Sequence, residues 1–303
     1  MVNCKKKVWK MAVGGILFGL LISAWSWQYP LNVQCAQSKR NQTQEAENII
    51  KNTIQKLEKA ESMHVKATMN MEVDALGMNL DTQAEIDMIS FQSPYKIKSE
   101  SSLDRGFLGE KEWTVYAAQQ KGEYQLYEKN GKKWSVNEAQ AKELLKYDGR
   151  NLLKIYLYQI EELQELGEQT LDGIKTVKYR GAFSGDGQKK VLLDAGSIEL
   201  VSKLFQNSLI KPFGSLVEQK EKVSAMMESA EDLEVVLWID KYTGYPVQCK
   251  MELTEMLSAA YKELAESMSS ETARKIARKI EIKKTEIIIE CDDFNDAEEI
   301  ELP

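Results

Sequence analysis

Apolar and polar residues alternate strictly over 65–74, with Val65, Ala67, Met69, Met71 and Val73 facing one way and Lys66, Thr68, Asn70, Glu72 and Asp74 the other. A period of two predicts a β-strand with one buried side. Beyond Gly77 the alternation resumes as Met78, Leu80, Ala84, Ile86 and Met88 against Asn79, Asp81, Gln83, Glu85 and Asp87, predicting a second long strand. Upstream, Ile49, Ile50, Thr53, Ile54 and Leu57 recur at helical spacing, so an amphipathic helix over 45–60 is expected to open the folded part.

Shorter strands are predicted at 95–102, 112–119, 123–129 and 133–136, with turns at Lys121-Gly122 and Asn130-Gly131. Helical patterns follow at 137–147 and 151–166, the second carrying Leu152, Leu153, Tyr156, Ile160 and Leu163 as its stripe. Strands return at 169–173 and 175–183, and Gly185-Asp186-Gly187 reads as a turn. Helices are expected at 189–207 and 214–230, interrupted by Pro212. After a hairpin, helical character over 251–278 precedes a last strand at 280–291. No fixed repeat and no Pro/Gly/Ser linker divides 45–303, so one α+β domain is predicted: a large curved antiparallel sheet with helices packed on its apolar face.

The hairpin, VVLWIDKYTGYPVQCKME from Val235 to Glu252, puts Leu233, Val235, Leu237 and Ile239 on one face of its first strand. Tyr245, Val247, Cys249, Met251 and Leu253 share a face of the second, and Gly244 can supply a positive φ to the turn. Its W-I-D-x-x-T-G-Y-P wording resembles a segment of uncharacterised extracytoplasmic lipoproteins of Gram-positive bacteria, related in fold to the carrier LolA and to the LppX and LprG lipoproteins. The resemblance extends from Glu45 to Pro303, including the closing NDAEEIELP, where that family ends in an Ile-x-(Ile/Leu)-Pro strand. It implies a LolA-like incomplete barrel closed by helices, with a hydrophobic cavity between. No catalytic residue comes with it.

Lys5, Lys6, Lys7 and Lys10 precede an uncharged run of 17 residues from Met11 to Trp27. That layout reads as an export signal or N-terminal membrane anchor over 1–36, followed by a polar linker over 37–44. Three fates are open: an uncleaved anchor to the cell membrane, ordinary cleavage and release, or lipidation at Cys35. Asn32, Val33 and Gln34 depart from a lipobox, which wants a small residue before the cysteine. Residues 1–36 hold four lysines and no acid, so beyond them 36 basic side chains face 47 acidic ones, a balance of −11. Such a surface opposes nucleic acid and anionic headgroups.

Catalytic constellations are not assembled by this sequence. His64 is the only histidine, which excludes multi-His metal sites. Gly173-Ile174-Lys175-Thr176 lacks the first glycine of a phosphate loop, and Gly181-Ala182-Phe183-Ser184-Gly185 places its serine one position late for a nucleophile elbow. No enzyme, cofactor or metal site is therefore expected. Cys249 and Cys291 lie on apolar strand faces; they could close a disulfide stabilising by roughly 3–4 kcal/mol, or stand as buried thiols.

Methionine is the remaining signal. Met69, Met71, Met78 and Met88 fall on the apolar side of the first two strands, and Val247 and Met251 join them from the hairpin. Flexible thioethers suit the wall of a cavity for a lipid or other hydrophobic molecule, although ordinary core filling produces the same stripe. The expected function is an extracytoplasmic hydrophobic-ligand carrier or sensor. The alternative is an envelope interaction or structural module that binds a protein partner through its acidic face or a strand edge.

Overall fold

The computed structural model describes residues 42–104, 106, 109–128, 133–135, 148–191, 232–266 and 271–303. The export segment, Cys35, the helices predicted at 137–147 and 214–230 and most of that at 189–207 lie outside them. Helix α1 (Gln42–Lys59) leads into β1 (Ser62–Ala75), β2 (Met78–Gln92), β3 (Tyr95–Asp104), β4 (Glu110–Gln120), β5 (Glu123–Glu128) and β6 (Lys133–Ser135). Then come α2 (Gly149–Gln159), β7 (Glu161–Leu171), β8 (Ile174–Phe183), α3 (Gly185–Lys189), β9 (Leu233–Asp240), β10 (Pro246–Glu252), α4 (Thr254–Glu266), α5 (Glu271–Ala277) and β11 (Ile280–Asp292).

All eleven strands join one sheet in the order β6-β5-β4-β3-β2-β1-β11-β10-β9-β8-β7, every pair antiparallel. Strands β1 to β6 meander outward from the middle, and β7 to β11 meander inward from the opposite edge until β11 pairs with β1. The sheet ends in two separate edges, so it is an open sheet rather than a closed barrel. Its inner face reads across the strands as rows: Tyr179–Leu237–Cys249–Ile289–Ala67–Ile86–Ser101, and beside it Gly181–Val235–Met251–Ile287–Met69–Ala84–Leu103. The apolar members form one continuous core. Helix α4 packs against β11, and α1 lies against α2 and β7.

Local chemistry sets the turns. At the β9–β10 hairpin, Asp240 Oδ1 accepts from the amides of Tyr242 (2.7 Å) and Thr243 (3.0 Å), and Gly244 adopts φ +73°, as its place in the sequence suggested. Trp238, on the other face from Leu237, is covered by the Lys178 ammonium 5.0 Å from its ring centroid and donates from Nε1 to Gln169 Oε1 at 3.1 Å.

Several expectations are corrected. The predicted helix 151–166 stops at Gln159, Ile160 turns extended, and Glu161–Leu171 is an edge strand instead. Its Glu/Gln-rich composition favours a helix, but hydrogen bonding to β8 overrides that preference, with two register shifts and positive φ at Glu162 and Gly167 absorbing the mismatch. Gly185–Lys189 forms a short helix rather than a turn. The helix predicted over 251–278 starts only at Thr254, Met251 remaining in β10, and is two helices, α4 and α5. The predicted last strand is present as β11, whereas the terminal strand of the resembled family has no counterpart here: 293–303 runs without strand pairing. That tail is pinned by Phe294 stacked on Tyr245 at 4.1 Å, by the Asn295 amide donating to Ser62 O at 2.9 Å, and by burial of Ile300.

Candidate functional site: the inner face and the polar cluster under helix α2

Met69, Met71, Met88 and Met251 are buried on the inner face, as their alternation required. Met251 and Met69 flank Ile287 in one row, so the hairpin and the first strand do contribute to one surface. Two of the nominated residues depart from it. Met78 is 46% exposed, at the tip of the β1–β2 hairpin opposite Ala75. Val247 is only half-buried, at the register shift between Pro246 and Gln248 that interrupts the alternation.

The two halves of the inner face differ. On the β8–β11 side it is bulky, with Phe183, Leu233, Leu237, Met251 and Ile289 buried beside Leu257 and Tyr261 of α4. On the β1–β4 side, Ala67, Ala84, Ser99, Ser101 and Ala117 are buried between longer Met and Ile side chains.

Beside that surface lies a polar cluster that pattern reading missed. Asp148 caps α2, Oδ1 accepting from the Arg150 amide at 2.9 Å, and the Ser90 hydroxyl bonds the same carboxylate. Arg150 is 5% exposed, with Nη1 3.8 Å from Asp148 Oδ2. Among the described residues, its Nε and Nη2 and the hydroxyl of Tyr95, also buried, find no hydrogen-bond partner. Burial pushes the Asp148 carboxyl above its ordinary range against the pull of Arg150. Burial likewise raises the Tyr95 phenol, with the negative charge of Asp148 adding to it. Each buried donor left unmade costs about 1–3 kcal/mol, so this cluster departs from the economy of an ordinary core. The sequence did carry one sign of it, an aspartate directly before an apolar helical run, which is an N-cap signal. The burial of Arg150 had none.

On the outer face His64 sits between two carboxylates, Nδ1 2.6 Å from Asp292 Oδ1 and Nε2 3.1 Å from Asp87 Oδ1. The hydrogen bond to Asp87, helped by Asp292 and opposed by partial burial, raises its pKa to about 9. Among the described residues, His64, Asp292 and Asp293 form the trio with metal-ligand spacing, and a metal there would have to displace the imidazole proton that the two aspartates hold. The geometry is that of an ion-paired latch across β2, β1 and β11. Neighbouring charges are paired too: Lys66 with Glu85 at 3.1 Å, and Glu286 with Lys250 at 2.8 Å and Lys284 at 2.9 Å.

Cys249 and Cys291 are free and buried, the second of the two states that their strand positions left open. The register sets Cys249 opposite Ile289, leaving Cys291 as its diagonal neighbour. Diagonal pairs lie about 7–8 Å apart, beyond ordinary disulfide reach. Burial pushes the Cys249 thiol up to about 12 and raises that of Cys291 as well.

Fold and site together define an open antiparallel sheet whose apolar face carries helices and one buried ionic cluster. No family model matches the chain, and no curated protein matches it. Solved structures similar to it include LppX from Mycobacterium tuberculosis, with 12% identity, a TM-score of 0.42 and coverage of 85% of this chain and 99% of that one. LprF from Mycobacterium bovis has 12% identity and a TM-score of 0.36 over 86% of this chain and 96% of its own. A domain assigned to outer membrane lipoprotein sorting in Vibrio parahaemolyticus has 8% identity and a TM-score of 0.26, over 69% of this chain and 72% of that domain.

Proposed function

We propose that this protein is a non-catalytic, extracytoplasmic binding protein that holds a lipid or another hydrophobic molecule between the inner face of its sheet and the helices over it. The observation carrying this reading is the asymmetry of the inner face: Ala67, Ala84, Ser99, Ser101 and Ala117 lie buried beside Met69, Met71 and Met88. A covering layer that rests on the long side chains spans the short ones, and flexible thioethers adapt to whatever fills the space between. The basic-then-apolar N-terminus supports a location outside the cytoplasm.

Native mass spectrometry of the gently purified protein is the direct test. A bound amphiphile, or uptake of a fluorescent fatty acid by the stripped protein, is the expected result. A clean apo mass with no uptake would sink the reading and leave a packed sheet that serves as an interaction module.

A further inference from the structure

A ligand held only by apolar contacts would leave the polar groups under α2 without partners. Arg150 is the second residue of that helix, and among the described residues its buried guanidinium finds no partner for Nε and Nη2, nor does the buried Tyr95 hydroxyl on β3 find one. Asp148 does not complete them. Its carboxylate is engaged by the Arg150 amide and the Ser90 hydroxyl, and its nearest guanidinium contact is a long 3.8 Å. The guanidinium does not relax toward water either, because α2 is seated directly on the sheet: a Cβ on Gly149 would come within 2.8 Å of Val65.

Arginine stays charged at any physiological pH, and its planar fork matches the paired oxygens of a carboxylate or phosphate. A buried charge without its full set of hydrogen bonds is costly, and an anion accepting from Nε and Nη2 together would complete it. The surface beside the cluster is apolar. Val65 lies directly under the start of α2, and along the same face run Met88, Ser99 and Ile86.

We propose that Arg150, with the Tyr95 hydroxyl, anchors the anionic head group of an amphiphile, a carboxylate or a phosphate, whose hydrocarbon chain lies along the inner face of β1 to β3. This rests on the hydrophobic-ligand reading above and adds the chemistry of the head and the end of the sheet at which it is held.

The test uses full-length protein loaded with the uncharged fluorophore N-phenyl-1-naphthylamine and displaced by hexadecanoate, hexadecyl phosphate or hexadecanol, which share a chain and differ in the head. At least one anion is expected to displace the probe at roughly tenfold lower concentration than the alcohol, a difference within reach of charge-assisted hydrogen bonding. Which anion wins separates a carboxylate from a phosphate ligand. R150M should bring the anions to the level of hexadecanol without changing hexadecanol itself, R150K should retain part of the preference, and Y95F should weaken it severalfold. Equal displacement by all three compounds in the wild type, or a preference that survives R150M, overturns the anchor and leaves the hydrophobic-ligand reading standing. Failure of the probe and all three compounds to bind overturns both. Should R150M not fold by circular dichroism, an anion preference unchanged in both R150K and Y95F overturns the anchor.

Discussion

At the scale of single residues, the consequential positions are those whose neighbours the chain supplies from far away. His64 is held by Asp87 from β2 and Asp292 from β11, which raises its pKa from 6.5 to about 9. A histidine whose folded-state pKa is raised adds stability that is fully present below pH 6.5 and is lost as pH rises through about 9. Both carboxylates are substantially solvent-exposed, so screening leaves about 1 kcal/mol or less. The urea midpoint of the wild type should therefore exceed that of H64Q at pH 6 and converge with it by about pH 10. A difference that stays constant across that range would refute the latch. None of this was legible in the sequence, where His64 was simply a residue on the polar side of a strand. Arg150 was hidden for the same reason: burial of a charged side chain depends on what the fold stacks above it.

At the scale of elements, local pattern and tertiary pairing disagree most informatively at 160–171. Leu152, Leu153 and Tyr156 form the buried stripe of α2 as their spacing requires, but Ile160 and Leu163 no longer belong to it. What ends the helix is the docking of the following chain across β8. Gly181 makes that possible, since a Cβ there would stand 2.5 Å from Ile160 Cγ2 and 3.0 Å from Glu161 O. G181A is expected to lower stability by roughly 1–3 kcal/mol, an overpacking cost, read as a lower thermal midpoint with the far-ultraviolet spectrum retained. A neutral result would show that the β7 edge yields easily. The long strands were legible because each has one buried face and period-two patterning survives any choice of partner. The edge strand was not: with most of its side chains exposed, it carries no alternation to read.

At the scale of the whole molecule, the sheet depends on its latest strand. Strand β11 pairs with β1 on one side and β10 on the other, so the two meanders become one sheet only through it. A chain ending at Lys279 would expose both strands as open edges. Such a truncation should lose the cooperative melt and bind a hydrophobic dye, whereas a sharp transition at the wild-type temperature would mean that the meanders fold independently.

The sequence by itself determined the strand faces of β1 and β9, that of β2 beyond its exposed tip and that of β10 from Cys249 onward, the helix stripe of α1, the Asp240 and Gly244 turn chemistry and the α+β class, because alternation, periodicity and turn preference are properties of neighbours along the chain. Only the tertiary structure decided that β11 lies between β1 and β10, that Cys249 and Cys291 are diagonal rather than opposed, and that Arg150 and Tyr95 are both buried within electrostatic range of each other, with hydrogen bonds unmade among the described residues. Strand order, register and the burial of a charge are relations between residues distant in sequence, and a linear pattern does not record them.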